Sequence, residues 1–352
     1  MLAKRKRFAH SIDMKIYYRA LPQVDIARPD NAIDLAGGWT WFTQVECLQR
    51  GKPARIVAAQ DIPAAVLKTL SAPRADVMGL AMNTPQTMGI LNVTPDSFSD
   101  GGQHNAPEAA IARSREMVAQ GATLIDVGGE STRPGSGVVA IDDEIKRTAP
   151  VIEAVAKAAI APISIDTRKA PVAKSAVRAG AGLINDVSGF TYDADLGPLA
   201  ASHAVPVCVM HAQGDPATMQ DDPRYDDVLL DVYDFLAAQV GYLIGLGIPR
   251  EQIVVDPGIG FGKTNAHNLA ILARLSLFHA LGCPILLGAS RKRFIGTIGN
   301  APDAGQRVPG SLAVALAGVA QGAQFLRVHD VAETTQALQL WQAVTRGEYD
   351  GA

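Results

Sequence analysis

From Thr87 onward, short runs of β-branched and aliphatic residues alternate with longer stretches whose apolar positions recur every three or four residues. The first pattern predicts strands and the second predicts amphipathic helices. Strands are predicted at Met88–Val93, Thr123–Val127, Pro162–Asp166, Leu183–Asp186, Pro206–His211, Gln252–Asp256, Pro284–Gly288 and Phe325–Val328. Helices are predicted at Pro107–Gln120, Asp142–Ala158, Val172–Ala179, Tyr225–Leu246, Asn265–Leu275, Val308–Gln321 and Val331–Val344. The strands are nearly continuous apolar runs, as in a parallel sheet covered on both faces. Eight strand–helix units predict an α/β protein, a (β/α)8 TIM barrel spanning 86–348.

Polar residues fall at or just past the strand ends, one per unit: Asn92, Asp126, Asp166, Asn185, His211, Asp256, Ser290 and Arg327. That is the end of a barrel where active sites are built. Residues 1–85 break the alternation and read as an N-terminal extension. Within it, Asp13–Ala20 and Ala54–Ala59 suggest strands, and Pro63–Leu70 suggests a short helix. Trp39, Trp41 and Phe42 would anchor the segment in a small core. Ser71–Arg74 reads as a linker. Val77–Met82 is expected to pair with Met88–Val93 as a hairpin capping the barrel floor.

Composition narrows the function. The chain has 352 residues, a net charge of −3 and 19% charged residues, so nothing overall draws it to nucleic acid or an acidic membrane. Lys4-Arg5-Lys6-Arg7 is followed by mixed polar residues, unlike a signal peptide. The longest apolar run, Leu312–Ala320, is far short of the roughly 20 residues that span a bilayer. Cys47, Cys208 and Cys283 form no C-x-x-C pair, which fits a reducing, cytoplasmic setting.

Five motifs carry candidate chemistry. Met88–Gly102 ends a strand at Asn92, whose amide oxygen suits Mg²⁺ or, more plainly, a turn. Ile125–Gly135 runs into a loop holding Glu130, Thr132, Arg133 and Pro134. Asp166, Asn185 and Asp256 form a third group, and carboxylates there suit a planar heterocycle with paired N–H edges. Asp256 opens a glycine-rich run to Lys263, but Pro257 stands where a phosphate loop needs its first glycine. Gly288–Lys292 and Phe325–Asp330 place Ser290, Arg291, Lys292, Arg327 and His329 after late strands, where barrels commonly bind phosphate.

Together, in this order and spacing, the motifs resemble dihydropteroate synthases over Thr87–Val344. That family condenses 6-hydroxymethyl-7,8-dihydropterin diphosphate with para-aminobenzoate, releases pyrophosphate and is the folate-synthesis target of sulfonamides. The resemblance implies Mg²⁺ at Asn92. It implies pterin contacts from Asp166, Asn185, Met210, Asp256 and Lys292. Arg327 and His329 would bind the diphosphate, with Ser290 or Arg291 nearby. Thr132, Arg133, Pro134, Phe261 and Ser290 would form the aminobenzoate site. Catalysis would fall to Arg327, His329, Lys292 and Asp166. Two residues depart from the family pattern: Ala212 replaces a methionine, and Arg168 replaces a small residue. The first loop has no obvious insertion, so a sulfonamide-sensitive pattern is expected.

The resemblance also implies a homodimer. Gly310, Gly318 and Gly322 fit close helix packing between subunits or a contact within one core. Two rival functions are a pterin-binding methyltransferase barrel and a non-catalytic pterin binder. The Glu130–Gly135 loop and Ser290-Arg291-Lys292 argue against the first, and the intact set of cations against the second.

Overall fold

The computed structural model describes residues 15–93, 106–131, 137–214 and 218–348. Expectations resting on Lys4–Arg7, Thr94–Gly102 and Thr132–Gly135 fall outside these residues.

The extension is a small antiparallel sheet with a helix. Strands β1 (Tyr17–Ala20), β4 (Gln44–Leu48) and β5 (Arg55–Ala58) pair in the order β1-β4-β5. Between them β2 (Ile33–Asp34) pairs with β3 (Trp41–Phe42), and α1 (Ala64–Ser71) follows. The sequence pattern did not reveal β4. Its Val45, Glu46 and Cys47 are all buried, so the alternation of a half-exposed strand is missing. Glu46 tolerates burial because Arg19 (2.9 Å) and Arg274 (3.2 Å) reach it. Phe42 packs with Leu35, Val45, Ile62 and Leu70 in a separate small core. Trp39 instead donates from Nε1 to Val319 O (2.8 Å) on the barrel.

The barrel strands are β6 (Gln86–Asn92), β7 (Leu124–Gly128), β8 (Ile163–Asp166), β9 (Leu183–Asp186), β10 (Val207–Met210), β11 (Ile253–Asp256), β12 (Leu286–Leu287) and β13 (Phe325–Val328). All pair in parallel, in the order β11-β10-β9-β8-β7-β6-β13-β12. A bridge between Val255 and Ile285, with Val255 N–H donating to Pro284 O (2.9 Å), joins the two end strands and closes the barrel.

Around the strands run α2 (Ala106–Ala119), α3 (Ile141–Lys157), α4 (Ala170–Ala179), α5 (Leu196–Ser202), α6 (Val228–Gly245), α7 (Asn265–Leu272), α8 (Arg293–Ile298), α9 (Val308–Val319) and α10 (Val331–Arg346). A 3₁₀ turn at Leu275–Leu281 replaces the end predicted for α7. Helices α5 and α8 escaped the periodicity because they have only seven and six residues. By length and composition α6 is apolar enough to cross a membrane. Here its Val232, Leu236, Val240 and Leu243 are buried in the barrel core, while Asp231 and Asp234 bind Arg50 and Lys15 of the extension.

Val77–Met82 does cap the floor, but not as a hairpin with β6. Val77 pairs with Leu80 across a tight turn in which Met78 (φ 53°) and Gly79 (φ 75°) are left-handed. Strand β6 already lies between β13 and β7 and has no edge to offer. Val77 and Met82 instead plug the barrel interior against Met88, Leu124, Val254 and Phe325. The glycines of the late helix meet their own chain: a Cβ on Gly310 would lie 2.3 Å from Ile295, and one on Gly318 2.3 Å from Leu287. They are core contacts.

Candidate functional site

Above the apolar floor, the strand ends bring acids and one guanidinium together. Arg327 on β13 donates from Nε to Asp126 Oδ2 (2.6 Å) and from Nη2 to Asp166 Oδ2 (2.7 Å). Asn185 Nδ2 donates to the same Asp126 oxygen at 3.3 Å. Burial opposes the charge on Arg327, but Asp126 and Asp166 more than offset it and raise its pKa. Burial pushes Asp166 up to about 7, Arg327 opposes this, and Asp126 and Glu144 add to it. The sequence motifs pointed to Asp166, Asn185 and Arg327, and the structure joins all three. Asp126 was noted only as a strand-end residue, yet it is the fully buried partner that holds Arg327.

Asp256 ends β11. Its Oδ1 accepts from Gly258 N–H at 2.7 Å, while Oδ2 lies 3.5 Å from where a Cβ on Gly288 would stand. Glycine at 288 therefore leaves room over the carboxylate. Burial pushes Asp256 up to about 6, against the Gly258 N–H and the nearby Lys292. Gly258, Gly260 and Gly262 all have positive φ. A Cβ on Gly258 would sit 1.9 Å from His211 O, so the following loop presses on the end of β10 where Met210 is buried. Phe261 projects from that loop, and Lys292 Nζ lies 3.9 Å from its ring centroid.

Ser290 Oγ lies 3.1 Å from His329 Nδ1 and accepts from His329 N–H at 3.2 Å. The loop after β12 is thereby tied to the end of β13. Arg291 is committed elsewhere: its Nε donates to Asp330 at 2.9 Å, and Nη2 makes a second contact with the same carboxylate. The structure thus makes Arg291 a brace beside His329.

Thr132, Arg133 and Pro134 lie outside the described residues. The stem of their loop is held by Glu130, which accepts from Val139 N–H (3.1 Å) and Arg168 Nη2 (2.8 Å) and contacts Lys169. Arg168 also lies over Tyr192, 4.0 Å from the ring centroid. Both departures from the family pattern, Arg168 and Ala212, line one cavity of about 310 Å³ that shares Val187 and Phe261 with the barrel mouth.

Asn92, exposed at the end of β6, turns its Oδ1 toward Gly128, 3.7 Å from a Cβ placed there. Among the described residues no three His, Cys, Asp or Glu side chains gather as metal ligands. One neutral amide oxygen is a fit donor for a hard cation whose other ligands are diphosphate oxygens and water, but not for a protein-only cage.

Against known proteins, residues 88–329 match the family model described as pterin binding enzyme. The dihydropteroate synthase of Escherichia coli is 46% identical over 264 residues, covering 75% of this chain and 93% of its own. The chain belongs to the dihydropteroate synthase family. Solved dihydropteroate synthases share its barrel. The one from Yersinia pestis, in a sulfonamide drug complex, superposes with a TM-score of 0.72 at 45% identity, covering 77% of this chain and 98% of that one. The one from Xanthomonas albilineans, in complex with 7,8-dihydropteroate, gives 0.69 at 42% identity, with coverage of 77% and 98%. The family model begins at residue 88, so the extension stands outside it.

Proposed function

We propose that the chain joins 6-hydroxymethyl-7,8-dihydropterin diphosphate to para-aminobenzoate, giving 7,8-dihydropteroate and pyrophosphate. The observation that carries this reading is the ring of Asp166, Asn185, Asp256 and Arg327 over a closed apolar floor, in a chain of this family. Asp256, with its outer oxygen uncovered by Gly288, would accept two N–H bonds from the amino-pyrimidine edge of the pterin. Asp166 and Asn185 would hold the rest of the bicycle beside Met210. Lys292 would hold the pterin and, with Phe261, wall the pocket toward the amine, with Ser290 and the Thr132–Pro134 loop.

An aryl amine is neutral near pH 7 and is already a nucleophile, so no strong base is required. Its lone pair forms the new carbon–nitrogen bond at the pterin methylene as the carbon–oxygen bond to the diphosphate breaks. The electron pair of that bond leaves with pyrophosphate, and the amine sheds its extra proton to solvent. Electron release from the pterin favours early bond breaking. Arg327 and His329 would stabilise the departing charge. Mg²⁺ at Asn92 would supply Lewis-acid stabilisation of the diphosphate oxygens. Ser290 would orient the His329 ring through its contact with Nδ1.

A homodimer and a cytoplasmic setting belong to the same proposal. Exposed Leu340 and Val344 on α10 support the first, and three buried free thiols the second. The test of function is pyrophosphate release from the two substrates with Mg²⁺. Turnover that needs both substrates is expected. Folded protein that binds the pterin without releasing pyrophosphate would refute the enzymatic reading.

A further inference from the structure

The chemistry above does not use Lys263, a fully buried lysine at the end of the glycine-rich loop. Its Nζ donates to Gly258 O (2.9 Å), Phe261 O (3.0 Å) and His211 O (3.3 Å), and lies 2.8 Å from His211 Nδ1. Three carbonyl oxygens aimed at one point repel each other unless a donor group such as this amine sits among them. Two more loop carbonyls are taken: Gln220 Nε2 donates to Gly260 O (2.6 Å) and Tyr225 Oη to Gly262 O (2.7 Å). The loop backbone is therefore held at every residue from Gly258 to Gly262 except Ile259, whose side chain is buried in the barrel core. What it presents outward is Phe261, under the Lys292 ammonium. The loop also abuts Lys292 directly, since a Cβ on Gly260 would lie 3.1 Å from Lys292 Cδ.

We infer that Lys263 is a positioning residue for the reaction proposed above: its buried ammonium fixes the left-handed loop so that Phe261 and Lys292 meet as one wall facing the aryl amine. Burying the ammonium carries a desolvation cost that an apolar residue would avoid. Burial lowers Lys263 to about 7, with Asp256 opposing the shift. Burial and Lys263 together depress His211 to about 2, so its ring stays neutral beside the lysine. A side chain kept for packing alone would not need three oxygens.

The inference rests on the functional reading, and steady-state kinetics separate the two. Lys263→Met, Phe261→Leu and the double variant are compared at saturating pterin diphosphate. Lys263→Met is expected to raise KM for para-aminobenzoate by about tenfold, with a smaller fall in kcat. If Lys263 acts through Phe261, the double variant has a KM within about twofold of Phe261→Leu alone. Should Lys263→Met fail to fold, Lys263→Gln, uncharged and with at most two N–H donors for three carbonyls, is read in the same way. A KM near wild type in whichever variant folds, or effects that multiply in the double variant, overturns the inference. Wild-type protein that releases no pyrophosphate overturns the functional reading instead.

Discussion

Replacing Asp256 by Asn should stabilise the protein while crippling it. The carboxylate is buried and its pKa is pushed up from 3.8 to about 6. Below pH 3.8 folded and unfolded chains both hold the proton, and nothing is lost. As pH rises from 3.8 to 6 the unfolded chain ionises first, so folding loses stability, and above 6 the loss is constant. About two pKa units correspond to roughly 3 kcal/mol. The Asn variant escapes that loss, and its Oδ1 still accepts from Gly258 N–H. Its Tm advantage should therefore grow between pH 4 and 6 and then level off at several degrees. Function moves the other way. With Oδ1 committed, the Asn NH₂ faces the N–H edge of the pterin. Losing charge-assisted bonds and opposing donor to donor costs roughly 3–5 kcal/mol, a hundredfold to several thousandfold in kcat/KM for the pterin diphosphate. The assays are thermal melts across that pH range and pyrophosphate release at saturating amine. A lowered Tm at neutral pH together with kcat/KM within tenfold of wild type would refute the assignment of Asp256.

Three further outcomes are expected. Arg74 is half-buried, has no carboxylate partner among the described residues, and donates to Thr69 O, Ala72 O and His279 O at the ends of α1 and the 3₁₀ turn. Arg74→Met should cost roughly 2–4 kcal/mol in urea unfolding while leaving kcat unchanged. Gly258→Ala forces a Cβ to within 1.9 Å of His211 O at φ +68°, so turnover should fall below detection even where circular dichroism shows a folded barrel. Chelating divalent cations should abolish pyrophosphate release, with Mg²⁺ restoring it. Asn92→Ala should raise the Mg²⁺ concentration needed by about tenfold.

The barrel was legible because its strands are short, apolar and separated by long periodic helices. Leu183–Asp186 and Phe325–Val328 were placed to the residue. The polar residue ending each strand pointed to the mouth. What escaped detection depends on contacts distant in sequence. Strand β4 is buried on both faces only because barrel residues such as Arg274 close over Glu46. Asp126 lies on the strand part of the Ile125–Gly135 motif, and its partnership with Arg327 spans 201 positions. Arg291 was expected near the diphosphate, and only the fold brings Asp330 to it. Lys263 was quoted as the end of a glycine run. Its signal was the failed phosphate loop itself, a lysine after three glycines with no phosphate to bind.

The barrel has no open edge, but it has a thin line. The junction between β11 and β12 is a single bridge beside a two-residue strand. The 3₁₀ turn Leu275–Leu281, which lies in the connection between those strands, is gripped by the extension: Ser276 Oγ donates to Ala20 O, and Arg74 holds His279 O. Asp256 stands at the top of one side of this line, and Ser290 and Lys292 just beyond the top of the other. The spacing between the acid that reads the pterin and the cation that faces the amine is thus set across the barrel's weakest stave. The extension acts there as a hoop, and transient opening, followed by amide exchange at Ile253–Asp256, should quicken when the hoop is cut.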